Sequence, residues 1–163
     1  YEHLKTWMPA HSEVVMGCAY DLSDLLILEK LVECKSVMLL LDGRPWLKKD
    51  SQYRRDRIAY YDKITQENGN QISIYDHPKN LPGKAFNSMH QKWLLGISKH
   101  GDCSIIYGSY NMSDNAKVNI ESALCFPIVS PNLLFQFQQD FMHLVIQECT
   151  YSWKEFKVKY EIQ

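Results

Sequence analysis

The spacing of apolar positions along the chain changes several times, and each change marks an element. In "SEVVMGCAY", Ser12 to Tyr20, apolar and β-branched residues dominate, with scarcely a polar break, as in a strand buried on both faces. Leu25, Leu28, Leu31 and Val32 then recur at three- and four-residue steps. That period predicts a helix to about Cys34 with one buried face, capped by Asp21 or Ser23. "SVMLLLDG", Ser36 to Gly43, is a second continuous apolar run and predicts a second buried strand. A helix from about Gln52 to Gln66 and a turn at "ENGN" lead to a third strand, "QISIYD". Strand, helix, strand, helix, strand is the order of a parallel sheet with right-handed crossovers.

The second half changes character. "MHQKWLLGI" and "CSIIYGS" read as two strands joined by "SKHGD", a short Gly-containing hairpin connection. "ESALCFPIV", Glu121 to Val129, predicts one more strand, with Pro127 near its end as an edge position tolerates. From Pro131, "PNLLFQFQQDFMHLVIQECTYSWKEF" predicts one long terminal helix, and "KVKYEIQ" a frayed tail. Proline suits the first helical turn, while Leu134, Phe137, Phe141, Leu144 and Val145 fall on one face. The fold class is therefore α/β: a mixed sheet flanked by helices, with a βαβαβ first half and a hairpin-containing second half, in a single domain over residues 1–163.

Strand direction then gathers chemistry. Three parallel strands end at one sheet edge, and a strand running antiparallel to them begins there, which places His90 and Lys92 at that edge. The hairpin travels to the far side and returns Gly108, Ser109 and Asn111 to the first edge, and Glu121 opens its strand close by. His90 and Lys92, two apart on a strand, share a face and offer a nucleophile or general acid beside a fixed positive charge. Gly108 permits close backbone approach, while Ser109 and Asn111 supply neutral donors to an anion. Glu121 can accept from one ring nitrogen of His90 and so orient the other. Such a set suits phosphoryl transfer, in which positioning and charge stabilisation dominate.

Composition narrows the picture. With 45% hydrophobic and 23% charged residues, a 163-residue chain can bury a sizeable core. Its formal charge of −1 and pI of about 6.6 exclude a global basic field, so polyanion affinity has to be local. The richest local patch is "WLKKDSQYRRDR", where Lys48, Lys49, Arg54, Arg55 and Arg57 stand around Tyr53. It reads either as a solvated helix start or as a phosphate-backbone contact with Tyr53 or Trp46 available to stack on a base. The five cysteines lack CxxC spacing, which predicts reduced, mostly buried thiols and neither a disulfide framework nor a zinc site. Of the other histidines, His77 reads as an incidental loop residue, and His3, His11, His100 and His143 show no ligand spacing. No apolar run approaches the roughly 18 residues of a spanning helix, and no signal peptide is visible. A soluble domain without membrane insertion, in a reducing intracellular compartment, is the expectation. The chain opens at Tyr1, as a processed or excised piece would, with room for further domains outside it.

His90, Lys92, Gly108, Ser109 and Asn111 match, in order, the His-x-Lys and Gly-Ser-x-Asn motif of the phospholipase D superfamily, which the sequence resembles from about Glu13 to Cys149. Glu121 stands where the family carries an acidic residue about ten residues later. The resemblance implies a phospholipase D-like mixed sheet and a hydrolase that needs neither metal nor other cofactor. The absence of a carboxylate cluster agrees, since two-metal nucleases need several acidic ligands. Only one motif is present, so the resemblance to single-motif nuclease-like members implies a homodimer with one composite site. There one His90 forms a phosphohistidine and the other acts as acid and then base. The local basic patch is the feature that favours nucleic acid, DNA or RNA, over lipid as the substrate; a phospholipid hydrolase and a non-catalytic dimerisation or docking module are the alternatives. One position departs from the pattern: the family aspartate falls at Ile97, and Asp102 in the hairpin is the nearest substitute.

Overall fold

The structure, a computed structural model, describes residues 6–8, 10–48, 51–67, 69–76, 91–109, 111–113, 122–128 and 130–162, with backbone alone for residues 48 and 51–54. The two apolar runs and the alternating "QISIY" become the parallel strands β1 (Val14–Ala19), β2 (Val37–Asp42) and β3 (Gln71–Tyr75). Val15 stands opposite Val37, and Met38 opposite Gln71. On the other flank of β1, β4 (Trp93–Ile97), β5 (Cys103–Gly108) and β6 (Ala123–Pro127) follow in antiparallel succession. A short β7 (Thr150–Ser152) closes the opposite rim, antiparallel to β3. The strand order is β6-β5-β4-β1-β2-β3-β7. Five helices accompany them among the described residues: α1 (Leu25–Val32), α2 (Arg44–Lys48), α3 (Ser51–Gln66), α4 (Pro131–Val145) and α5 (Trp153–Tyr160).

The continuous apolar runs are explained by two cores, one on each face of the sheet. Val15, Ala19, Leu39, Leu41, Ile72, Ile74 and Leu94 point to the first, with Leu28 and Leu31 of α1, Tyr61 and Ile64 of α3, and Trp153 and Phe156 of α5. Met16, Cys18, Leu40, Trp93, Leu95 and Ile105 point to the second, where α4 contributes Phe141 together with the half-buried Leu134, Phe137, Leu144 and Val145. Alternate side chains of one strand thus enter different cores. Burial pushes the Cys18 thiol up to about 12 and that of Cys34 up to about 11, which leaves both un-ionised at neutral pH. His11 Nδ1 donates to the Trp7 carbonyl at 2.8 Å, and its Nε2 shares a hydrogen bond with Ser104 Oγ at 2.8 Å.

Several expectations change. Helix α1 is capped by Asp24 rather than Asp21 or Ser23: Asp24 Oδ1 accepts from Leu26 N at 2.9 Å and Ile27 N at 3.4 Å. The Ser23 hydroxyl donates to Asp21 instead. The thiols are less buried than expected, for Cys103 and Cys149 are half-buried and Cys125 is exposed. The long terminal helix is two helices with a strand between them. Helix α4 stops at Val145, Ile146 is 72% exposed, and Thr150 and Tyr151 pair with Tyr75 and Ile74 on the outer edge of β3. Ser152 then restarts a helix through a capping box with Glu155. No helix among the described residues is long and apolar enough to cross a membrane.

Candidate functional site

Strands β1, β2 and β3 all finish at one edge, and there β4 begins and β5 ends. Lys92 directly precedes β4 and is buried, 5% exposed. Its carbonyl accepts from Gly108 N at 3.2 Å, which joins the start of β4 to the end of β5. Ser109 N donates to the Ser122 carbonyl at 2.9 Å, and Ser109 Oγ accepts from Ser122 N at 3.2 Å. Just beyond Asn111, the Met112 carbonyl accepts from Ser23 N at 2.8 Å and Asp24 N at 3.0 Å. Those bonds draw the segment against the β1–α1 connection. Asn111 Oδ1 is buried and meets no donor among the described residues. A buried amide oxygen left this way costs about 1–3 kcal/mol.

The edge continues past Lys92. Tyr20 follows β1 by one residue; Lys92 Nζ lies 5.9 Å from its ring centroid and the Arg44 guanidinium 5.1 Å. Arg44 opens α2 and is clasped by Asp42 at the end of β2. Nε donates to Oδ1 at 2.9 Å, Nη2 to Oδ2 at 3.1 Å, and the backbone N of Arg44 to Oδ1 at 2.9 Å. Hydrogen bonding to Asp42 raises the Arg44 pKa further. Tyr75, at the end of β3, is pushed up to about 12, first by burial and then by a hydrogen bond with Cys149, so it stays a neutral phenol at physiological pH. The edge therefore offers two cations, a buried carboxylate and neutral donors. That inventory can hold an oxyanion such as a phosphate. Among the described residues no three His, Cys, Asp or Glu side chains gather as metal ligands. A separate pocket between α3, β3 and α5 opens at the other end of β3, and its carboxylate, Asp62, already accepts from Trp153 Nε1 at 2.7 Å and Lys157 Nζ at 2.5 Å.

No protein-family model matches the sequence, and no curated protein is similar to it by sequence. Solved structures are similar. NucT from Helicobacter pylori aligns with a TM-score of 0.59 at 16% identity, over 87% of this chain and 86% of NucT. Nuc from Salmonella typhimurium, a phospholipase D family member, aligns with a TM-score of 0.53 at 16% identity, over 86% of this chain and 82% of Nuc. The chain has the phospholipase D fold.

Within the phospholipase D fold of this chain, Lys92, Gly108, Ser109 and Asn111 stand at the same end of the sheet, while His90 and Glu121 lie outside the described residues. Because β4 starts only at Trp93, Lys92 precedes the strand rather than lying within it. Gly108 has a packing reason beside any chemical one: a Cβ there would lie 2.2 Å from the Ser122 carbonyl oxygen and 2.6 Å from Ala123 Cα. Asp102 sits in the β4–β5 hairpin, where its side chain accepts from Ser98 Oγ at 3.2 Å, at the sheet end opposite Ser109. The basic patch is divided. Arg55 is exposed, whereas Arg57 is buried at 7% exposure and its Nε donates to the Ser23 carbonyl at 2.8 Å. Arg57 is thus a tie between α3 and the β1–α1 connection rather than a surface cation. Lys49 and the side chains of Lys48, Tyr53 and Arg54 lie outside the described residues. Sequence reasoning missed Tyr20, Asp42 and Arg44. The signal was an Asp-x-Arg step at the end of a buried strand, just ahead of the lysines that drew attention.

Proposed function

We propose that this chain is a phosphodiesterase of phospholipase D type, a nuclease that cleaves nucleic acid without a metal cofactor and works as a homodimer. The observation that carries the reading is the meeting of Lys92 with Gly108, Ser109 and Asn111 at one end of β4 and β5, in a fold shared with NucT and Nuc. In the proposed reaction, His90 attacks phosphorus, a P–N bond forms, and the leaving oxygen takes a proton from the second copy's His90. Water then attacks the phosphohistidine while that second ring accepts its proton, and the P–N bond breaks. Lys92, Ser109 and Asn111 hold the non-bridging oxygens, and Glu121 orients His90. Electrostatic support of this kind is worth about 3–4 kcal/mol per donor in acyl transfer.

The homodimer has its own support. Strand β6 forms a rim of the sheet, and its neighbourhood is apolar and open: Leu124 is 69% exposed, Tyr107 52% and Phe126 37%. The register sets Leu124 opposite Tyr107 and Ala123 opposite Gly108. The open surface is therefore continuous with the proposed site, and a second copy seated there brings its own site residues close.

The test is incubation of the purified chain with labelled single- and double-stranded DNA and RNA in excess EDTA, beside a His90→Ala variant and a phosphatidyl lipid. Nucleic-acid cleavage that survives chelation and is lost in the variant is the expected result. Turnover of lipid alone identifies a phospholipid hydrolase, and a folded dimer that turns over nothing identifies a docking module; either outcome overturns the nuclease reading.

A further inference from the structure

We propose that Arg44, held over Tyr20, is a second phosphate-binding residue of the site and takes the phosphate next to the one being cleaved. The inference rests on the phosphodiesterase reading and extends it from a single phosphate to a strand. Asp42 grips Arg44 by Nε, Nη2 and the backbone N, and the Asp42 side chain is fully buried while that of Arg44 keeps 25% exposure. The carboxylate therefore fixes the inner edge of the guanidinium and aims its outer edge at solvent. The outer N–H groups of Arg44 meet no acceptor among the described residues. A planar fork with two donors fixed and the rest presented is what oxyanion recognition needs.

Position supplies the second half of the argument. Lys92 and Arg44 both lie within 6 Å of the Tyr20 ring centroid, so one aromatic side chain spaces two cations across neighbouring strands. A nucleic-acid strand repeats its phosphate at every nucleotide, so two cations held around one ring suit successive phosphates better than one isolated ester. Lys92 is the buried member at 5% exposure, suited to the reacting group, and Arg44 is the outer one that an incoming strand meets. Were the Asp42–Arg44 pair only a tie between β2 and α2, Arg44 would matter to stability and not to binding.

The experiment measures fluorescence anisotropy of a short dye-labelled single-stranded oligonucleotide with the chain carrying His90→Ala, alone and combined with Arg44→Gln. Because removing the Arg44 guanidinium takes a cation away from the buried Asp42 carboxylate, a second combination, Arg44→Gln with Asp42→Asn, removes that charge, and thermal unfolding confirms that each protein is folded. About tenfold weaker binding is expected in both combinations, with the slope of log affinity against log salt flatter by about 0.7. Equal affinity and slope in folded proteins overturn the assignment of Arg44 while leaving the phosphodiesterase reading untouched. Failure of every form to bind the oligonucleotide overturns it as well. Absence of cleavage by the unaltered chain sinks the phosphodiesterase reading, and the anisotropy then still decides whether Arg44 contacts the strand.

Discussion

Gly108 shows how much rests on one missing side chain. It belongs to the motif and it also lets β6 close on β5, since any Cβ there would collide with backbone atoms of Ser122 and Ala123. Backbone cannot swing aside as a flexible side chain can. Gly108→Ala is therefore expected to destabilise the protein by about 2–3 kcal/mol and to shift Ser109, whose backbone and hydroxyl both bond to Ser122. Denaturant unfolding measures the first effect; a variant as stable as the parent would show that β6 is free to move. Asn111, Lys92 and Arg44 make the complementary point. Their residue types were visible in the sequence, but the orphaned Oδ1, the burial of Lys92 and the grip of Asp42 on Arg44 depend on neighbours distant in sequence.

At the level of elements, the parallel strands were legible because burial on both faces leaves an unmistakable apolar run. The end of the chain was not. Residues 131–156 keep enough apolar content to read as one helix, yet the open edge of β3 recruits Thr150–Ser152 as a seventh strand. A helical period cannot register a partner strand some 75 residues away. The restart at Ser152 depends on a local device: Ser152 Oγ accepts from Glu155 N at 3.3 Å, while Ser152 N donates to Glu155 Oε2 at 2.8 Å. Ser152→Ala is expected to cost about 1 kcal/mol, read as a lower thermal midpoint. The pH dependence follows from the same bonds, which hold the Glu155 carboxyl below its ordinary range. A depressed carboxyl pKa contributes stability above the unfolded pKa and loses it as pH falls through the folded one, so the penalty of Ser152→Ala should shrink in acid. A penalty that grew in acid would contradict this capping box.

For the whole molecule, the consequential feature is the rim where β6 exposes Leu124 and Phe126 beside Tyr107. Edge strands in soluble proteins are normally blunted by charge, by proline or by a covering element, and this one carries no charged side chain, only Pro127 at its end. If the proposed homodimer forms across this rim, Leu124→Asp with Phe126→Asp weakens self-association at least about tenfold, seen by sedimentation velocity across a dilution series, and activity falls with the dimer fraction. A fully active monomer would separate the site from the assembly. By itself the sequence determined the α/β class, the parallel core of β1, β2 and β3, and the order of the motif residues, because apolar periodicity and strand direction are local properties of the chain. The tertiary structure decided the rest. Only packing could turn Arg57 inward, break the terminal helix to pair with β3, and set Arg44 and Lys92 around one tyrosine ring, because each depends on contacts between segments that the chain brings together only on folding.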